Sequence, residues 1–177
     1  ADENYLIMSD TPRPLGHNHD DRTGFSLWGK SVPLALDSGT GGYFNGDNVW
    51  FNSAAAHNVV QFQTEGTWQG TAPTVTTPIR YYSDKVDVIQ TGGATPGATD
   101  YQRNVIQLKG GFNSYLVWDR IKSAAPSRFN LHTLTTSVDQ APGKLTAHGY
   151  QGVDLDVHLL GAAQPTVTLD TGRVSGD

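Results

Sequence analysis

Val153-Asp154-Leu155-Asp156-Val157-His158-Leu159 places an apolar side chain at every odd position and a polar one at every even position. That period of two is the signature of a strand with one face buried and one face in water. Similar short runs rich in β-branched and aromatic residues recur along the chain. They are Phe25 to Trp28, Val32 to Leu36, Asn58 to Phe62, Ile79 to Tyr82, Val86 to Gln90, Asn104 to Leu108, Tyr115 to Trp118, Phe129 to Leu134, Lys144 to Ala147 and Thr166 to Leu169. Turn clusters separate them, such as Ser38-Gly39-Thr40-Gly41-Gly42 and Lys109-Gly110-Gly111, and Thr91 to Thr99 is expected to be a loop. Sustained helical periodicity is absent. Closely spaced strands without intervening helices predict an all-β fold, an antiparallel multi-stranded β-sandwich of stacked sheets with little helix.

The 177 residues are expected to form a single domain, 1–177, with neither an internal repeat nor a linker long enough to divide it. With 12 Lys+Arg against 17 Asp+Glu, the formal charge is -5, which lacks the basic footprint of a nucleic-acid binder. No apolar run approaches the length of a membrane-spanning helix. There is no cysteine, so disulfide scaffolding and thiol chemistry are excluded, and any metal must be held by nitrogen and oxygen donors.

Chemistry-bearing residues concentrate in the first third of the chain. In Gly16-His17-Asn18-His19-Asp20-Asp21 the two histidines project to one side of an extended backbone, near enough to serve one site or to be two solvated imidazoles of a polar turn. Asp37 closes the apolar run Leu34-Ala35-Leu36 and precedes a glycine-rich turn, the place of a turn initiator or of an oxygen ligand beside imidazoles. His57 enters the apolar strand Asn58-Val59-Val60, where a structural histidine is the usual finding.

The order of these three motifs, Gly16 to Leu27, then Leu36-Asp37-Ser38-Gly39-Thr40-Gly41-Gly42-Tyr43, then His57-Asn58-Val59-Val60, resembles the β-sheet domain of heparinase II/III-type polysaccharide lyases, a group that includes alginate lyases. The resemblance runs over residues 5 to 135 in segment order and is dense over 16 to 60. Tyr101 to Ile106, Tyr115 to Arg120 and Phe129-Asn130-Leu131-His132 are similar to the family's later strands. It implies lysis of a uronic-acid-containing polysaccharide by β-elimination. It assigns His17 and Tyr43 to catalysis, and His19, Asp37 and His57 to a zinc ion whose role is to orient the site. Tyr82 or Tyr101 is the alternative to Tyr43, and Arg103 and His132 are expected to contact substrate. His148 and His158 are expected to be surface residues.

The family's lyases carry a helical toroid ahead of the β domain, and this sequence has no helical region of that size. The resemblance therefore implies a fragment of a longer enzyme, whose toroid is supplied by the same polypeptide or a second chain. It also implies an acidic polysaccharide as partner and a secreted or periplasmic setting. Two zinc-dependent or related alternatives fit less well: metallo-β-lactamase-like enzymes need a His where Arg22 stands, and cupins need a Glu, whereas Glu3 and Glu65 lie at the wrong spacing. The non-enzymatic alternative is a β-sandwich that binds an acidic glycan through its four Trp and seven Tyr.

Overall fold

The computed structural model describes residues 4–9, 19–41, 48–70, 78–111, 114–161 and 165–170. Among them, thirteen strands form four antiparallel sheets. The first sheet joins β1 (Tyr5–Met8), β2 (Phe25–Gly29) and β3 (Val32–Ala35). The second has the order β10 (Ser127–Phe129), β4 (Val60–Thr64), β5 (Thr67–Gly70). The third is a four-stranded meander of β6 (Ile79–Tyr82), β7 (Val86–Thr95), β8 (Ala98–Leu108) and β9 (Ser114–Lys122). The fourth contains β11 (Thr135–Ala141), β12 (Lys144–Gly149) and β13 (Leu155–His158). Among the described residues helix is confined to α1 (Asn48–Asn52) and a 3-10 turn, Ala54–Ala56. Among the described residues no helix is long and apolar enough to cross a membrane.

The sheets share two apolar cores. Phe25, Leu27, Leu34 and Ala35 of the first sheet pack with Tyr115 and Val117 of β9 and with Val153 and Leu155 at the start of the last strand. Val60 and Phe62 of β4 pack on Ala98 and Tyr101 of β8. The inner face of the third sheet thus serves both neighbouring sheets. The Val153–Leu159 alternation appears as β13, whose Leu155 and Val157 are half-buried while Asp156 and His158 are exposed. In the same sheet, His148 lies between two carboxylates, Nε2 at 3.0 Å from Asp139 and Nδ1 at 3.1 Å from Asp154. Facing carboxylates at both ring nitrogens raise its pKa, the hydrogen bond to Asp139 foremost.

Three expected elements differ. Thr91 to Thr99 is no loop: β7 runs to Thr95 and β8 starts at Ala98, making this the tip of the longest hairpin. Gly92 serves close approach within the ladder, because a Cβ there, at φ 149°, would stand 2.1 Å from the Tyr101 carbonyl oxygen. Phe129 to Leu134 contributes only the end of β10 and a single bridge between Thr133 and Ala35. Thr166 to Leu169 forms no strand.

Between the cores lies a buried cation. Arg103 on β8 is 0% exposed and faces Asp119, its register partner on β9. Nε and Nη2 donate to the two carboxylate oxygens at 2.8 Å each, the forked geometry that guanidinium favours. Nη1 donates to the carbonyls of Thr23 and Asn58, both at 2.9 Å. The guanidinium also lies 4.9 Å from the ring centre of Phe129 and 5.8 Å from that of Phe25. Arg103→Met would strand the Asp119 carboxylate and two buried carbonyls. A loss of about 3–5 kcal/mol is expected from urea unfolding, part of it recovered when Asp119→Leu is added; an unchanged midpoint in the single variant would contradict this account.

Candidate active site

The site forms where β3 leaves the first sheet and the 3-10 turn enters the second. Asp37 follows β3 by two residues, and its backbone N–H donates to Ser26 Oγ on β2 at 3.0 Å. Its Oδ1 accepts the Gly39 N–H at 2.9 Å, an Asx turn that Gly39 completes with φ +74°. Its other oxygen, Oδ2, lies 2.6 Å from Nδ1 of His57. His57 follows the 3-10 turn, which delivers its ring into the interior at 0% exposure. Ser38 N–H donates to the Ala56 carbonyl at 3.4 Å, tying the two loops together.

Burial pushes the Asp37 carboxyl up, but the hydrogen bond and positive character of His57, the Gly39 amide and the nearby His19 outweigh it. The balance lies below the usual carboxylate range. An ionised Asp37 can only accept, so Nδ1 of His57 carries the hydrogen. Nε2 of His57 is left buried with no hydrogen-bond partner. In the neutral ring that nitrogen is a lone-pair acceptor. The His19 ring centre stands 5.3 Å from that of His57.

His132 belongs to the same wall. Its Nε2–H donates to the Ala55 carbonyl at 2.9 Å, its backbone N–H donates to Asn58 Oδ1 at 2.6 Å, and the edge of Trp50 meets its ring at 6.2 Å. Burial is the main reason its pKa falls below the ordinary histidine value.

The structure therefore brings Asp37 and His57 into direct contact and sets His19 beside them. As the side chains stand, no three His, Asp or Glu among the described residues already enclose a metal position. His17 and Tyr43 lie outside the described residues. Arg103, expected to meet substrate, does not reach the surface: its guanidinium is fully buried, with its donors taken by the half-buried Asp119 and by the carbonyls of Thr23 and Asn58. Tyr101, the alternative to Tyr43, is likewise fully buried with its hydroxyl donating to Asp119 at 3.2 Å, and burial drives its pKa well above the ordinary phenol value. Tyr82 is 61% exposed on the edge strand β6 of the third sheet. Sequence reasoning gave no role to Asn58, whose amide binds three backbone groups behind the site. The signal was a polar residue opening an apolar strand.

Comparison with known proteins places this geometry in context. The family profile described as heparinase II/III-like, C-terminal, matches residues 1–175. Among curated proteins, none matches the chain. A heparan sulfate lyase from Pedobacter heparinus superposes with a TM-score of 0.73 at 17% identity, over 90% of this chain and 26% of that one. A heparinase III gene product gives 0.74 at 14% identity, over 88% and 25% of the two chains. A further heparinase III structure gives 0.67 at 13%, over 88% and 26%. The chain spans about a quarter of the length of these structures.

The lowered Asp37 pKa has a signed consequence for stability. The Asp37–His57 pair stabilises the fold fully above the ordinary Asp value of 3.8, and that contribution is lost as pH falls through the lower folded value. Asp37→Asn is therefore expected to melt below wild type at neutral pH, with the gap closing as the solution is acidified below about pH 4. Thermal melts of both proteins across that range check it, and parallel curves would refute it.

Proposed function

The chain belongs to the heparinase II/III-like family through its C-terminal domain, and from that premise we propose that it is the β domain of a polysaccharide lyase acting on a uronic-acid-containing polymer by β-elimination. The observation that supports the reading is the Asp37–His57 contact, Oδ2 at 2.6 Å from Nδ1, with the His19 ring beside it. Two imidazoles and a carboxylate are a donor set that suits zinc, so the residues fit the ion in kind. His19, Asp37 and His57 would hold it, and when bound it supplies a fixed positive centre that orders the segments bearing the acid-base groups.

In the elimination, a base takes the proton beside the uronate carboxylate, the bond from C4 to the bridging oxygen breaks, and a C4–C5 double bond forms. The departing oxygen takes up a proton. Tyr43 is proposed for proton transfer and His17 for contact with the sugar at the reacting centre. A phenol with a reference pKa near 10 serves as a base only where positive charge favours the phenolate. Arg103, fully buried against Asp119, is not available for that help, which leaves His17 and Arg22 for it. Neutralising the substrate carboxylate and completing the cleft are assigned to a helical domain beyond this chain, supplied in the same polypeptide or by a second one. A secreted or periplasmic location follows from a polymeric substrate.

A second reading, a non-catalytic module for acidic glycans, is favoured by the outer face of the third sheet. There Ile79, Tyr81, Leu116 and Trp118 share one side of the ladder at 62%, 59%, 40% and 57% exposure. Cleavage separates the two readings. A panel of alginate, heparan sulfate, hyaluronan and glucuronan, incubated with the full polypeptide, is expected to show the ultraviolet rise of an unsaturated uronyl end on at least one polymer. Tyr43→Phe should reduce that rate by about a hundredfold or more; no rise on any polymer would sink the lyase reading. Elemental analysis provides an independent check of the metal: about one zinc per chain is expected, lost in His57→Ala, and a metal content near zero in wild type would remove zinc from the proposal.

A further inference from the structure

We propose that Asn58 is the positioning residue of this site: one buried amide fixes the two chain segments that present Asp37 and His57 to each other. The inference rests on reading that pair as functional, and its geometry stands on three hydrogen bonds. The Asn58 side chain is 0% exposed. Its Nδ2 donates to the Phe25 carbonyl on β2 at 2.8 Å and to the Leu36 carbonyl at 3.1 Å, and its Oδ1 accepts the His132 N–H at 2.6 Å. Both amide hydrogens and the carbonyl oxygen are thereby engaged.

What these bonds hold decides the role. Leu36 immediately precedes Asp37, and its own N–H donates to the His132 carbonyl at 3.1 Å. Leu36, His132 and Asn58 thus close a ring of hydrogen bonds that sets the peptide plane leading into Asp37. Asn58 immediately follows His57, so the bonds that anchor its side chain anchor the residue next to the histidine. Its backbone carbonyl is in turn held by Arg103. Asp37 and His57 are 20 residues apart in sequence; Asp37 follows the Leu36 carbonyl that the Asn58 amide binds, and His57 precedes Asn58 itself. An apolar side chain of the same size would fill the space but join none of these segments, and would leave two carbonyls and one N–H buried without partners. Groups of this kind, one bond behind a metal or catalytic ligand, set its orientation rather than touch the substrate.

The test separates positioning from bulk stability. Asn58→Ala is compared with Val60→Ala, which thins the core of Val60, Phe62, Ala98 and Tyr101 and leaves the ring of hydrogen bonds intact. Zinc affinity is measured by competition with a chromophoric chelator. The His57 Nδ1 proton, hydrogen-bonded to Asp37, is followed by NMR in metal-free protein. Asn58→Ala is expected to weaken zinc about 10–100-fold and to move or broaden the His57 signal, whereas Val60→Ala lowers the melting temperature with zinc affinity within about twofold. Unchanged zinc affinity and an unchanged His57 signal in Asn58→Ala would overturn the proposal. Should wild type bind no zinc, the metal reading above fails by itself, and the His57 signal alone decides for or against Asn58. If Asn58→Ala does not fold, Asn58→Ser, which keeps one hydroxyl in place of the amide, is read the same way.

Discussion

A guanidinium taken wholly out of water governs the arrangement of this domain. An uncompensated charge in the interior costs several kcal/mol, so Arg103 is tolerable only with its donors matched. The matching is what connects the fold. Asp119 answers it from the next strand, Thr23 from the turn before β2, and Asn58 from the entry to β4. Three sheets therefore meet on one side chain, with Phe129 and Phe25 near its planar face. Apolar packing alone would let these sheets slide past one another. The directional fork of Arg103 against a carboxylate and two carbonyls selects one register among the layers.

The site inherits its geometry from that centre. Arg103 holds the Asn58 carbonyl, the Asn58 amide holds Leu36 and His132, and the next residues along the chain are Asp37 and His57. The chemistry thus sits at loop ends whose backbone is fixed by interior polar bonds, with Asp37 reaching toward solvent at 40% exposure and His57 wholly buried. This placement lets a carboxylate remain ionised beside a buried imidazole. Burial alone would favour the neutral acid, but the Gly39 amide and the histidine bond reverse that preference.

The period-two alternation made the strands legible, because a half-buried strand writes its two faces into alternate residues. The motifs around His19, Asp37 and His57 were legible because turn chemistry and metal-ligand chemistry both use short, recognisable spacings. Arg103 was not legible as an interior residue. It stands between Gln102 and Asn104 in a polar stretch of β8, and nothing local reveals that its partners come from residues 23, 58 and 119. Gly92 misled in the opposite direction: glycine in a Gly-Thr-Pro stretch reads as a loop, whereas here it permits the close passage of two paired strands. Asn58 was visible but unassigned, since a polar residue at a strand entry acquires meaning only when its distant carbonyl partners are known.

Charge balance narrows how a polyanion would be received under the proposed function. The chain is acidic overall, and several of its cations are already matched: Arg103 by Asp119, Arg120 by Asp100 at 2.9 Å, Lys144 by Asp156 at 2.9 Å. Each such pair removes a donor that a uronate carboxylate would otherwise meet. Under the proposed function, positive charge at the cleft can come from His17 and Arg22 of the same segment, from an ion held by His19, Asp37 and His57, or from residues beyond this chain. A divalent ion would serve best from within, since it adds two positive charges where Asp37 contributes one negative.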